Sequence, residues 1–172
     1  KTAFDVKLSH LPKELRGSIA RPALLTNLPQ NRDNPISFSI IMPTYNRATS
    51  MIESIESVLR QNYRHFELII ADDGSTDDTE QVIRSRYKQE ITKGIINYVK
   101  CPHRGVCPTR NAALSIARNP WIAYADSDNF IREDFLETFV TAIQNNPEKT
   151  CFYAKARMIQ ENKELGKPFD YQ

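Results

Sequence analysis

From Ser37 onward the chain alternates two hydrophobic textures. Short runs rich in β-branched and aromatic residues, at Phe38–Met42, Glu67–Ala71, Ile95–Val99, Trp121–Ala125 and Cys151–Ala154, predict five strands. Between them lie segments with apolar residues at helical spacing. Ile52, Ile55 and Leu59 share one face of the first, and Val82 and Ile83 mark the second. A third runs from about Thr109 to Ala117, and the fourth carries Phe135, Leu136, Phe139, Val140 and Ile143. These stripes are core-forming faces. Strand and helix in alternation predict an α/β fold with a mostly parallel, doubly wound sheet flanked by helices, a Rossmann-like arrangement whose ligands sit beyond the carboxyl ends of the strands. Residues 1–35 read differently: Pro12, Pro22, Pro29 and Pro35 interrupt them and no apolar period is sustained, so they are expected to form an arm or linker leading into a domain over residues 36–172.

Composition narrows the class of partner. With 23 Lys and Arg against 21 Asp and Glu the net charge is only +2, too small for the basic stripe of a nucleic-acid binder. No apolar run approaches the roughly 18 residues of a membrane span, so membrane association is expected only through parts outside this chain. Three cysteines do not make a disulfide framework, which favours a reducing, cytoplasmic setting, including the cytoplasmic face of a membrane. Cys101, His103 and Cys107 are close in sequence, but three ligands fall short of a closed zinc site.

The chemistry is expected where strands end. Pro43 stops the first strand, and Tyr45 offers a flat amphipathic ring on which a base could stack; the same loop also reads as a turn in which Asn46, Thr49 or Ser50 caps the next helix. After the second strand, Gly74 permits a tight turn and Ser75, Thr76 or Asp77 can cap a helix. That leaves the adjacent carboxylates of Asp72 and Asp73 without a purpose, and a site binding a base N–H or ribose hydroxyls would supply one. Asp126-Ser127-Asp128 follows the fourth strand. Its two carboxylates suit Mn²⁺ or Mg²⁺ with substrate phosphates completing the shell, and it equally suits a polar turn capping the helix near Arg132. Arg110, after Gly105 and Pro108, stands near a helix start, where a guanidinium adds to the dipole in holding phosphate; a solvated surface arginine is the plain alternative.

Taken in order, Ser39–Asn46, Gln61, Phe66–Ile70, Asp72-Asp73-Gly74-Ser75-Thr76-Asp77, Gly105 with Arg110-Asn111, and Asp126-Ser127-Asp128 resemble the GT-A glycosyltransferases of glycosyltransferase family 2 over about residues 37–153. The resemblance implies a GT-A fold and transfer of a sugar from a nucleotide-sugar donor, of UDP type, to a hydroxyl of a glycan or polysaccharide acceptor, with inversion. It places Pro43, Thr44 and Tyr45 around the base, with Asp73 hydrogen-bonding it. Arg110 and Ser127 fall in the donor site, Asp126 near ribose and metal, and Asp128 as the direct ligand of Mn²⁺ or Mg²⁺. The family's general base is a carboxylate on a later segment and is expected outside this chain. Glu161, Glu164 and Asp170, in a polar tail, have no matching context. Two other readings compete: a nucleotide-binding or scaffolding module without catalysis, and a phosphotransferase using Asp126 and Asp128 as a nucleophile pair.

Overall fold

A computed structural model describes residues 35–154, together with the backbone of residues 158–160 and 163–165. The chain divides into two units, Lys1–Pro35 and Ile36–Gln172. The expected arm over residues 1–35 lies outside the described residues apart from Pro35, as do Glu161 and Asp170.

Four strands, β1 (Phe38–Thr44), β2 (Phe66–Asp72), β3 (Ile96–Lys100) and β4 (Trp121–Tyr124), form one parallel sheet in the order β3-β2-β1-β4. The helices are α1 (Met51–Leu59), α2 (Thr79–Arg86), α3 (Lys88–Thr92), α4 (Val106–Ile116) and α5 (Phe135–Asn145). A short antiparallel pair, β5 (Met158–Gln160) and β6 (Lys163–Leu165), ends the described chain. No helix among the described residues is long and apolar enough to cross a membrane.

The near-continuous apolar runs of β1 and β2 follow from burial on both faces, since a parallel sheet covered by helices has no wet side. Alternate residues serve the two layers. Phe38, Ile40, Met42, Leu68 and Ile70 pack with Met51, Ile55 and Val58 of α1, Ile83 of α2, and Leu136 and Ile143 of α5. Ile41, Ile69 and Ala71 face Ala113 of α4 on the other side. The buried face of α1 is therefore Met51, Ile55 and Val58, rotated from the expected Ile52, Ile55 and Leu59. Serines at 54 and 57 share that face, which blurs the apolar period: Ser57 donates to the Ser54 carbonyl at 2.7 Å, so its hydroxyl is buried without penalty.

Two expectations are corrected. Cys151–Ala154 is not a strand: among the described residues no strand pairs with it, and Phe152 instead packs its ring against Trp121 at 5.9 Å. The third helix begins at Val106 rather than near Thr109. Pro108 sits in its first turn, where a missing N–H removes no intrahelical bond, so proline does not delay the start.

At the amino ends of the strands a polar cluster fixes the sheet. Buried Glu67 accepts from Ser39 Oγ and Asn97 Nδ2, both at 2.7 Å, and from the Arg118 N–H and Nε, both at 2.8 Å. Ser39 Oγ in turn accepts the Asn119 N–H at 3.1 Å. This pins the turn between α4 and β4, and so sets how β4 enters the sheet.

Candidate functional site

The strand order makes the site's location follow from topology. The chain leaves β1 towards α1 on one face of the sheet, whereas α4 lies on the opposite face and leads into β4, so the strand order reverses between β1 and β4. A crevice opens at such a switch point beyond the carboxyl ends of the strands. Here it is an open cleft of about 360 Å³ lined by Pro43, Thr44, Tyr45, Arg47, Asp73, Val106, Asp126, Ser127 and Asp128. Its size falls within the range of small-molecule sites. Seven of the eight residues expected in a donor site thus border one cleft. The eighth, Arg110, reaches its edge.

The floor is built from two loops zipped together. The backbone N–H groups of Asn46, Arg47 and Ala48 donate to Ser75 Oγ at 2.8 Å, Thr79 Oγ1 at 3.0 Å and Asp77 Oδ2 at 3.2 Å. Asn46, in the left-handed region at φ 50°, returns its side chain to accept the Thr76 N–H at 2.8 Å. The polar run after β2 therefore cradles the loop after β1, and Asn46 does not cap α1; Ser50, at the cap position, makes no side-chain cap bond either. Asp77 serves both loops, accepting the Thr79 N–H at 3.0 Å. Burial alone would raise its carboxyl, and the bonds from Thr79 and Ala48 hold it below the ordinary value.

Asp72 and Asp73 both have structural partners, which corrects the expectation that capping leaves them unused. Asp72 accepts from the Ser75 N–H at 2.7 Å and from Tyr98 Oη. Burial, with the neighbouring Asp72 carboxylate, pushes the Tyr98 phenol up. Asp73 lines the cleft, but its carboxylate anchors the segment before α4. It accepts from the Arg104 N–H and Thr109 Oγ1 at 2.9 Å and from the Gly105 N–H at 2.9 Å, while His103 Nδ1 lies 2.9 Å from Oδ2. Burial alone would raise the Asp73 carboxyl; the bonds from Arg104, Thr109 and Gly105 hold it below its usual range instead. Gly74 makes this approach possible. At φ +73° it sits where an added Cβ would meet the His103 backbone nitrogen at 2.9 Å. Gly74→Ala is expected to cost about 2 kcal/mol, from the left-handed backbone and the clash together, measured by urea denaturation. A loss below about 0.5 kcal/mol, the scatter of neutral surface changes, would contradict it.

Tyr45 is exposed, and His103 stacks on it with centroids 4.3 Å apart and planes 19° from parallel. The aromatic platform is thus a Tyr-His pair. Thr44 turns its hydroxyl to Met51 Sδ at 3.6 Å and receives the Asp73 N–H on its carbonyl at 2.9 Å. Beyond β4, residues 126–129 form a turn closed by the Asn129 N–H donating to the Asp126 carbonyl at 3.3 Å. The extended geometry is lost, yet both carboxylates still face the cleft. The triplet does not cap a helix: α5 begins at Phe135 with Asp134 at its cap position.

Each carboxylate of the triplet holds an arginine. Arg110 Nη2 lies 2.8 Å from Asp126 Oδ1, and Arg47 Nη2 lies 3.1 Å from Asp128 Oδ2. Arg110 also lies over the Tyr124 ring, 5.6 Å from its centroid, and its buried Nε has no hydrogen-bond partner. Two carboxylates that stay part-exposed, beside guanidinium groups and an unsatisfied N–H donor, form a set that fits a hard divalent cation together with phosphate oxygens. Among the described residues Cys101, His103 and Cys107 are not gathered into a cluster of three metal-ligating side chains, and burial with nearby Asp73 and Asp72 pushes the Cys101 thiol up.

Sequence reasoning passed over Arg47 and His103 as site residues. Arg47 stood in the loop already singled out at Tyr45, and a cation beside a candidate base platform was the available signal. His103 shows itself in the sequence only as a zinc-ligand type beside Cys101 and Cys107.

The family model for Glycosyl transferase family 2 matches residues 39–168. The chain is similar to Glycosyltransferase GlyG of Streptococcus pneumoniae serotype 4, 30% identical over 110 residues that cover 62% of this chain and 35% of that protein. Among solved structures it resembles S. aureus TarS 1-349 in complex with UDP-GlcNAc, with 28% identity, a TM-score of 0.58, and coverage of 65% of this chain and 32% of that one. It also resembles the mannosyltransferase PcManGT of Pyrobaculum calidifontis in complex with GDP-Man and Mn²⁺, with 25% identity, a TM-score of 0.58, and coverage of 64% and 33%. The chain spans about a third of the length of each.

Proposed function

The chain belongs to glycosyl transferase family 2, and from that premise we propose that its cleft is the donor site of a metal-assisted, inverting glycosyltransferase. The donor is a nucleotide sugar of UDP type and the acceptor a hydroxyl of a glycan or polysaccharide. The observation that carries this reading is the convergence of Tyr45, Asp73, Asp126, Ser127 and Asp128 on one cleft at the switch point of the sheet. The base stacks at the Tyr45 platform. Asp73 meets its N–H by giving up the contact with the His103 ring, which is exposed where its other side-chain donor, Thr109, is buried. Asp126 and Arg110 lie towards ribose and phosphate.

Asp128, with Asp126, holds Mn²⁺ or Mg²⁺, which when bound supplies charge compensation for the diphosphate leaving group. The complex of TarS with UDP-GlcNAc supports a UDP-type donor, and that of PcManGT with GDP-Man and Mn²⁺ supports a nucleotide sugar held with a divalent cation. The general base belongs to a later carboxylate. Three free cysteines, Cys101, Cys107 and Cys151, suit a reducing, cytoplasmic setting.

Calorimetry with UDP and UDP-sugars, with Mn²⁺ and with chelator, tests this. Nucleotide binding that strengthens at least about tenfold with Mn²⁺ is expected, about 1.4 kcal/mol. No binding, or equal binding in chelator, would overturn the proposal. Binding with no turnover by the longer protein would assign a non-catalytic nucleotide module instead.

A further inference from the structure

Arg47 lines the cleft, and among the described residues its guanidinium has one ion-pair partner, Asp128. Its backbone is held, with the Asn46, Arg47 and Ala48 N–H groups all donating to the loop after β2, so the root of the side chain is fixed. Its guanidinium, 39% exposed, makes a 3.1 Å ion pair with Asp128, itself 50% exposed. A pair so open to water is weak and readily exchanged. Across the turn, Arg110 holds Asp126 in the same way. The triplet therefore carries no uncompensated charge, and any cation must take carboxylates that arginines already occupy.

We infer that Arg47 is a donor-binding residue that exchanges partners: it neutralises Asp128 while the cleft is empty and passes to the diphosphate when a cation takes Asp128. The inference rests on the donor-site reading above. It follows from charge and reach. A divalent cation and a guanidinium repel each other at one carboxylate, while a diphosphate offers planar oxygen pairs suited to a guanidinium fork. Arg47 thus acts against the cation when the cation comes alone, and for the donor when both arrive.

Those opposite signs give the test. Free Mn²⁺, measured by electron paramagnetic resonance, reports binding of the metal alone to the 172-residue chain; calorimetry reports binding of UDP at saturating Mn²⁺. Arg47→Ala is expected to bind Mn²⁺ alone about two- to fivefold more tightly, the scale of a lost surface ion pair. The same variant is expected to bind UDP about tenfold or more weakly, the scale of a lost charge-assisted hydrogen bond. Arg47→Lys, which keeps the charge without the fork, is expected to fall between wild type and Arg47→Ala for UDP. Unchanged UDP affinity in Arg47→Ala would overturn the inference, and so would weakening of Mn²⁺ and UDP binding together, the mark of a merely structural role. Should wild type itself bind UDP without any response to Mn²⁺, the donor-site reading fails first, a result visible before any variant is compared.

Discussion

Asp128→Ala is expected to abolish the response of UDP binding to Mn²⁺ and to lower sugar transfer by the longer protein about 10²–10³-fold. A bound divalent cation supplies several kcal/mol of charge stabilisation to a departing phosphate, and each 1.36 kcal/mol is a factor of ten in rate. Asp128 is half-exposed, its partner is one part-exposed arginine, and the turn that carries it is closed by backbone bonding from Asn129 to Asp126. Its removal should therefore leave stability within about 0.5 kcal/mol of wild type. The pairing of a large functional loss with an unmoved unfolding midpoint separates a ligand from a structural residue. Asp128→Asn keeps one neutral oxygen and should retain a weakened metal response. A variant that transfers sugar and responds to Mn²⁺ as wild type does would remove the triplet from the site, and an unfolded Asp128→Ala would show that its carboxylate serves the fold.

What could be read from the sequence divides along physical lines. The strands β1 and β2 were legible because burial on both faces demands unbroken apolar runs, and Ile40, Ile41, Met42 and Leu68, Ile69, Ile70 satisfy that demand without any knowledge of neighbours. The placing of Tyr45, Asp73 and Asp126–Asp128 at one edge followed from parallel connectivity alone. The residues that Asp72 and Asp73 hold were not legible: Tyr98, His103, Arg104 and Thr109 lie 26 to 36 residues away, and no local period encodes a loop-to-loop bond. Nor was the double ion pairing of the triplet, whose partners come from β1's exit loop and from α4. Cys151–Ala154 shows the converse. Its β-rich composition was real, but a strand exists only where another strand pairs with it.

Glu67→Ala is expected to lower stability by about 3 kcal/mol, and to remove most of the acid sensitivity that this carboxylate gives the fold. The side chain is buried at the amino end of β2, while its ionic partner Arg118 is 61% exposed. The ion pair alone therefore contributes little. The cost lies in the donors left behind: the Ser39 hydroxyl, the Asn97 amide and the Arg118 N–H lose a charged acceptor, at roughly 1 kcal/mol or more each.

Burial by itself would raise the Glu67 carboxyl, but the bonds from Ser39 and Arg118 hold it below the ordinary value of 4.5. The sign follows. With a folded value below the unfolded one, the unfolded chain binds the extra proton as pH falls. The stabilisation is complete above about pH 4.5 and is lost as pH drops through the folded value. Urea denaturation of wild type and Glu67→Ala between pH 7 and pH 3 should show a gap that narrows below pH 4.5, and Glu67→Gln, which restores acceptor and donor without charge, should recover part of it. A gap constant across that range would mean that packing, not the carboxylate, sets the effect. Because Glu67 holds the turn that feeds β4, and β4 leads into the turn of Asp126 and Asp128, the same variant should also weaken Mn²⁺-dependent UDP binding at pH 7, through position and not through contact.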